Sequence, residues 1–418
     1  MSHKMETFCL KNITINIGMI EKNPIYCHYA FKNIHINVDG TTRPCCEYNK
    51  IDTEFNLKKN SFEDVFNQPN FVKVREDLSQ GIEHKNCDIC FKREKNGKKS
   101  PRQLANMING ENNNEPGISS FSFSLNNLCN LACRTCGPTF SSNWFNEYYE
   151  LYWKKQNFTR QEKLIEYKNN RSIDDTIILS KFNKDHLKNL NEIKFFGGEP
   201  LLNNSMWEIC KVLVDLNLAE NIVLHYHTNC TIIPTDEQQA IWKKFKKIFL
   251  NLSVDGTEEH FEYLRYGAKW TEVENNIKKI IDIKNKLKNI QLTQILTVSS
   301  INIFDIDKII NFYIEHFSND MNLFTNNVTN PSYFSFSSIP DSAKDQISKK
   351  LIDLSKLSKK FDYVSNIRSL VNFLKKTSFD KVQLQLMIKT LERHDKFRKQ
   401  NFKTYFSDWA KILYNEIE

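Results

Sequence analysis

The sequence predicts an α/β protein built on parallel strands, and three observations carry that prediction. From Gly117 onward, strand-like runs near 119–126, 191–196, 221–228, 248–254, 290–298 and 320–326 alternate with helical spacing. The helical segments fall near 139–156, 203–218, 235–247, 258–287 and 303–316, the fourth interrupted around Tyr266 and Gly267. Polar residues collect where these strand runs end, the edge at which parallel sheets carry their sites. The composition is that of an ordinary globular chain: 418 residues, 40% hydrophobic and 26% charged, enough for about two to three domains. It excludes disorder and fibrous repeats. Strands separated by helices give parallel βαβ units, hence an α/β barrel or a doubly wound sheet.

The first hundred residues read differently. Residues 34–38 alternate like a strand, and Asp39 with Gly40 supplies a hairpin turn. The spacing of Val65, Phe66, Phe71, Val72, Val74 and Leu78 predicts a helix over 61–78. The charged, turn-rich stretch 92–117, with Asn112, Asn113 and Asn114, reads as a linker. The polar piece 157–189 adds helix outside the sheet. Pro331 and Pro340 punctuate the exit to a helical tail over 341–418. No run approaches the roughly 18 apolar residues of a membrane helix. The first twenty residues have no continuous apolar core of a secretory signal, so a cytoplasmic location is expected. The net charge of +8 is spread over mixed Lys/Glu helices and argues solubility more than a nucleic-acid stripe.

Eleven cysteines are the informative excess. In a reducing compartment, clustered cysteines favour metal ligation over disulfides. Cys129-Asn-Leu-Ala-Cys133-Arg-Thr-Cys136 follows the first strand of the α/β region. Three thiolates wrapping one loop leave a four-iron cluster with one open iron, the position chemistry needs; a structural zinc or a fully ligated cluster is the alternative. Cys27, Cys45, Cys46 and Cys87-Asp-Ile-Cys90 form a second group, for which a zinc knuckle is the alternative. Cys9, Cys210 and Cys230 stand apart and read as small buried hydrophobes.

The CxxxCxxC spacing of Cys129, Cys133 and Cys136 resembles the signature of the radical S-adenosylmethionine (radical SAM) superfamily. Phe196-Gly197-Gly198-Glu199-Pro200, after the second strand, resembles that family's GGEP segment. The resemblance implies a partial (β/α)6 TIM-like barrel in which Gly197, Gly198, Glu199 and Pro200 hold the amino group of the methionine moiety. Glycines permit close backbone approach, and a carboxylate suits an ammonium. Two further strand ends fit, His227-Thr228-Asn229 and Asn251-Leu-Ser253-Val-Asp255-Gly256. Strand period two puts Asn251, Ser253 and Asp255 on one face, and His225, His227 and Asn229 likewise share a face. The resemblance implies that Asn229, Ser253 and Asp255 contact the ribose and methionine carboxylate; Arg265 either pairs with a cofactor carboxylate or lies on a solvated face. The family usually carries an aromatic residue before the last cysteine, near the adenine. Thr135 stands there in this chain, and Leu296 and Val298 are the alternative apolar floor.

The layout of Cys27, Cys45 or Cys46, Cys87 and Cys90 resembles the twitch or shortened SPASM domain, which binds an auxiliary four-iron cluster. Here it precedes the barrel, giving an expected order of auxiliary domain (1–115), barrel (116–330) and helical region (331–418). The resemblance covers about residues 25–400; residues 326–331 with Ile339 and Pro340 add to it. It implies reductive cleavage of S-adenosylmethionine at a [4Fe–4S] cluster and abstraction of a substrate hydrogen atom. An auxiliary [4Fe–4S] cluster would make the net reaction an oxidation, and the electron donor would be of flavodoxin or ferredoxin type. The substrate class stays open between a peptide or protein and a small metabolite, including epimerase or dehydratase chemistry on a sugar. Tyr148, Tyr149, Trp153 and Tyr226 fit either a pocket lining or the core. A rival is a zinc-binding, nucleic-acid-interacting protein; its support is the Lys-rich segments 243–247 and 349–360, which fit solvated helix faces better.

Overall fold

The computed structural model describes residues 25–49, 51–95, 99–109, 115–169, 175–182, 184–357 and 361–418; Cys9 and Asn112 to Asn114 lie outside them. The chain divides into two compact units, one from Met1–His35 with Thr41–Ser122 and the other from Ile36–Gly40 with Phe123–Glu418.

In the smaller unit a short helix, His28–Lys32, leads into β1 (Asn33–Ile36), then β2 (Thr41–Arg43) and β3 (Asp52–Asn56), with β2 and β3 antiparallel. Gly40 takes φ +85, the left-handed turn conformation expected of the Asp39 and Gly40 pair. All four residues of β1 are buried, so the alternation read from 34–38 does not appear as two unlike faces. The helix expected over 61–78 is two, Phe62–Phe66 and Pro69–Ser79. Pro69 lacks an N–H and takes the first-turn position of the second helix, forcing the break. Ser61 and Asp64 cap the first reciprocally. The stretch expected as a linker carries a helix, Pro101–Asn109, held by polar contacts. Arg102 pairs with Glu94 at 2.5 Å and donates to the Tyr26 carbonyl at 2.7 Å, and Asn106 donates to the same carbonyl.

The larger unit contains β4 (Ser120–Ser124, which enters it at Phe123), β5 (Ala132–Cys133), β6 (Glu192–Phe196), β7 (Val223–Thr228), β8 (Lys247–Ser253), β9 (Arg265–Tyr266), β10 (Ile290–Val298) and β11 (Met321–Asn327). All six expected strands are present, in the sheet order β4-β6-β7-β8-β10-β11. The pairs β6/β7, β7/β8, β8/β10 and β10/β11 are parallel. Strand order follows chain order without reversal, which is the winding of a partial barrel and not of a doubly wound sheet.

Helices Asn204–Asp215, Asp236–Trp242, Glu258–Leu264, Trp270–Leu287 and Ile306–His316 connect these strands. The break around Tyr266 and Gly267 is as expected, and Gly267 has φ +103. The segment expected as one helix over 139–156 is a run of short turns ending in the π-turn Tyr149–Trp153 and Lys154–Gln156. One face of the sheet is buried: Tyr226 stacks on Phe195 at 5.4 Å and its hydroxyl accepts from Trp242 at 3.3 Å and contacts the Cys210 thiol. Tyr226 is therefore core, and Cys210 and Cys230 are fully buried, as expected. The opposite face stays partly accessible along β7, β8 and β10.

Residues 341–418 form helices, as expected, from Asp341–Leu354 to Ser407–Asn415, and they belong to the larger unit. Among the described residues no helix is long and apolar enough to cross a membrane. The last helix is anchored by Trp409, fully buried, stacked on Phe304 at 5.0 Å and donating to the Ser300 carbonyl at 2.7 Å. Trp409→Ala removes that ring and leaves the Ser300 carbonyl without its donor. The variant is expected to be about 3–5 kcal/mol less stable in denaturant unfolding; a loss below about 1 kcal/mol would show that the C-terminal helices are not anchored there.

Candidate functional site

The loop after β4 brings the three clustered cysteines together. Cys133 lies in β5 opposite Arg265 in β9, a two-residue antiparallel ladder continued by Arg134 N–H donating to the Leu264 carbonyl at 2.8 Å. The Cys136 N–H then turns back to the Cys133 carbonyl at 3.0 Å. Cys129 is held by mutual hydrogen bonds with Ser142, each 3.1 Å. Cys129 is half-buried, Cys133 buried and Cys136 exposed. N–H donors surround the sulfurs: Leu131 N–H at 3.5 Å and Asn229 Nδ2 at 3.8 Å from Cys129 Sγ, and Arg265 Nη1 at 3.8 Å from Cys133 Sγ. The Cys133 thiol is held below its usual pKa by its hydrogen bond with Cys136 and by Arg265, against the effect of burial.

The turn after β6 lies directly on this loop. Gly197 (φ +84) and Gly198 (φ +50) adopt left-handed conformations, and a Cβ on Gly197 would stand 2.5 Å from the Asn126 carbonyl oxygen. One on Gly198 would strike the Leu128 oxygen, which also accepts from Glu199 N–H at 2.7 Å. The glycines do permit close backbone approach, and the neighbour they approach is the loop leading to Cys129. Glu199 is 1% exposed, and its carboxylate accepts from the backbone N–H of Asn229 at 2.6 Å and of Leu201 at 3.2 Å. Burial nonetheless pushes its pKa up to about 7. Pro200 opens the short turn that follows.

The remaining expected residues divide by position. Ser253 and Asn251 share the accessible face of β8, and His225 and His227 that of β7; Asn251 lies 3.4 Å from His227, which stacks on Phe196. Asn229 and Asp255 lie beyond the strand ends and are buried. Asn229 Nδ2 also donates to Asn130 Oδ1 at 3.0 Å. Arg265, expected to meet a carboxylate, has one from the protein: its Nη2 is 2.6 Å from Asp255 Oδ2, while Asp255 Oδ1 accepts from Thr297 N–H at 2.8 Å. Arg265 Nε is buried with no partner among the described residues. Leu296 and Val298 do not form an apolar floor, because both are fully buried on the helix-covered side of β10. Ile295, opposite Ser253 and Phe324, is the apolar residue on the accessible face. Tyr148 and Trp153 pack in one aromatic group with Phe145 and Tyr152, and the Arg160 guanidinium lies over the Tyr149 ring at 5.9 Å.

In the smaller unit Cys27 sits in a core with Tyr26, Phe31, Tyr48, Val74, Leu78 and Phe91, against which Cys45 and Cys87 pack. The Cys45 thiol feels the charges of Cys46, Cys27, Cys87 and Cys90, and burial among them drives its pKa far up. Cys46 is exposed. Cys27, Cys45 and Cys87 thus share one core, and Cys90, also buried, acts on Cys45 electrostatically. Among the described residues no three His, Cys, Asp or Glu side chains converge tightly enough for one metal ion. Thiols that each hold a different iron of a cluster need not share one ion's coordination sphere, and the all-thiol donor sets fit iron–sulfur chemistry.

Residues 123–313 match the family model of the Radical SAM superfamily, and residues 27–92 match that of an iron–sulfur cluster-binding domain, SPASM. The chain therefore carries a radical SAM domain. A SPASM-type domain precedes it; the first match implies a [4Fe–4S] cluster with S-adenosylmethionine, and the second supports an auxiliary iron–sulfur cluster. A solved structure described as native anSMEcpe with bound AdoMet and Cp18Cys peptide is 21% identical at a TM-score of 0.39, covering 57% of this chain and 59% of that one. SuiB from Streptococcus suis bound to precursor peptide SuiA is 12% identical at a TM-score of 0.31, covering 85% and 58%. TYW1 with a lysine-pyruvate adduct is 12% identical at a TM-score of 0.27, covering 58% and 71%. The match spans less than two thirds of the first two of these chains. No curated protein matches the chain.

Gly198→Ala places a side chain against the Leu128 carbonyl at a left-handed residue. It is expected to lower stability by at least about 1–3 kcal/mol and to reduce iron retained per chain after anaerobic reconstitution. Gly137→Ala, whose Cβ meets nothing within 4 Å, is the matched control. Equal iron in both variants would show that the contact between turn and loop does not shape the cluster loop.

Proposed function

We propose that the chain is a radical SAM enzyme whose cluster is held by Cys129, Cys133 and Cys136, with an auxiliary [4Fe–4S] cluster held by Cys27, Cys45, Cys87 and Cys90. The observation that carries this reading is one loop that presents Cys129, Cys133 and Cys136, each set by hydrogen bonds, beside the Gly197 to Pro200 turn at the carboxyl end of a singly wound parallel sheet. When bound, the cluster and S-adenosylmethionine supply one-electron cleavage of the sulfonium to methionine and a 5′-deoxyadenosyl radical, which takes a hydrogen atom from the substrate. The functional division that goes with this reading is 1–115, 116–330 and 331–418.

The protein's part is to bind, orient and exclude water. Glu199, with the backbone of Gly197 and Gly198 and the turn set by Pro200, receives the cofactor's ammonium. Asn229 and Ser253 face the ribose. Asp255 orients Arg265, whose unpartnered Nε is left to donate to the methionine carboxylate. The accessible sheet face, with the row His227, Asn251 and Thr293, receives a polar substrate, a peptide or a small metabolite. An auxiliary cluster suits net oxidation, with a flavodoxin- or ferredoxin-type protein as electron donor.

Anaerobically prepared protein is expected to hold about eight irons. Replacing Cys129, Cys133 and Cys136 by Ala should remove about half of them and all formation of 5′-deoxyadenosine under dithionite. Replacing Cys87 and Cys90 should also remove about half, yet leave that cleavage intact. Cleavage surviving in the first variant would sink the assignment.

Glu199 adds a pH signature. Its raised pKa means that, without cofactor, it is protonated and neutral below about pH 7. The attraction for an ammonium is therefore present above that pH and lost as pH falls through it. Affinity for S-adenosylmethionine, measured by anaerobic calorimetry, should weaken from about pH 8 to about pH 6. Glu199→Gln should bind on the order of tenfold or more weakly and show no such step. A pH-independent wild type would remove Glu199 from the cradle.

A further inference from the structure

The Arg265 guanidinium makes a connection that its expected role does not require. Nη2 is 2.6 Å from Asp255 Oδ2, and Nη1 points at Cys133 Sγ, 3.8 Å away. The side chains are 10% and 7% exposed, so the charges interact with little solvent between them. The β5–β9 ladder pairs Cys133 with Arg265 residue against residue, so this is a fixed contact between backbone-anchored groups. Arg398, from the helix Lys381–Arg398, also acts on Cys133 electrostatically. Of the three clustered cysteines, Cys133 is the buried one.

We propose that Arg265 and Asp255 act as an opposed pair that sets the reduction potential of the cluster held at Cys133. This rests on the proposed ligation by Cys129, Cys133 and Cys136. A cluster gains negative charge on reduction, and its potential depends on nearby charge and on hydrogen bonds to its sulfurs. Arg265, donating to the Cys133 thiolate, stabilises the reduced form and raises the potential. Asp255, holding Arg265 by its other Nη, offsets part of that charge and lowers it. Arg265 is on this view a positioning residue whose influence on electron uptake is separate from any contact with the methionine carboxylate.

The two variants that test this carry opposite signs. Arg265→Gln removes the positive charge. Asp255→Asn removes the negative charge and keeps an Oδ1 acceptor for Thr297 N–H. Each is loaded with iron and sulfide, and the midpoint potential of the cubane signal is measured by EPR-monitored redox titration without S-adenosylmethionine. The Cys87→Ala/Cys90→Ala background removes the auxiliary signal. The potential is expected to fall in Arg265→Gln and to rise in Asp255→Asn, with iron per chain unchanged from that background. Potentials unchanged, or shifted in the same direction in both, would overturn the proposal, since lost structure has no reason to move them oppositely. Should one variant lose its cluster, the sign of the other decides; loss from both would make the pair structural and overturn it as well. Absence of any cubane signal in the parent Cys87→Ala/Cys90→Ala protein would instead fail the ligation reading on which the proposal rests.

Discussion

The arrangement of the site depends on one backbone contact, between the turn after β6 and the loop that delivers Cys129. Two consecutive left-handed glycines let the Glu199 N–H reach the Leu128 carbonyl, and no side chain fits between the two segments. Once that contact is made, the Glu199 carboxylate lies within reach of the Asn229 N–H at the end of β7, and Asn229 Nδ2 reaches Cys129 Sγ. The ends of two consecutive strands, β6 and β7, are thereby fixed to the cysteine loop by a chain of hydrogen bonds. The cost is a carboxylate buried to 1% exposure, which backbone donors offset only in part, as its raised pKa registers.

The far side of the loop is held by charge. Arg134 lies over the Tyr263 ring at 3.5 Å and pairs with Asp395 at 2.5 Å. Arg398 pairs with Glu147, which also meets His394. Such buried pairs contribute little net stability over apolar packing, yet losing one partner is expensive, of order 3–5 kcal/mol. Their effect is to fix register. The helix Lys381–Arg398 cannot shift without uncovering a charge, and Arg134 adjoins Cys133, so the position of the C-terminal helices and that of the cysteine loop are set together.

Much of this was legible in the sequence. The six strands stood out because each is a short apolar run bounded by helical spacing, and the cysteine spacing and the Gly197 to Pro200 turn are contiguous motifs. What escaped depends on contacts between distant residues or on the phase of a uniform run. The strand Ile290–Val298 is apolar at so many positions that alternation could not say whether Ile295 or Leu296 and Val298 faces the accessible side; the helices covering the latter decide it. The pairing of Arg265 with Asp255 rests on a ladder only two residues long, which no periodicity announces. The helix Pro101–Asn109 was hidden because Pro101 reads as a breaker although it occupies a helix's first turn, and because its anchor is the pairing of Arg102 with Glu94 and the Tyr26 carbonyl.

Alternation along the strands also separates the two demands that the proposed radical chemistry would make. Leu224, Tyr226, Leu250, Leu252, Leu296 and Val298 point into the helices and form a core in which apolar burial gives rigidity. His227, Asn251, Ser253, Thr293 and Thr297 point the other way, His227 exposed and the others half-buried, with Asn251 3.4 Å from His227 in the neighbouring strand. A reactive radical must meet one substrate hydrogen and no other, which requires that the bound substrate be oriented by polar groups on a surface that does not yield. Parallel strands in chain order meet that requirement because each strand ends beside its predecessor. The polar residues at successive ends then form one continuous rim, and the cysteine loop is its first member.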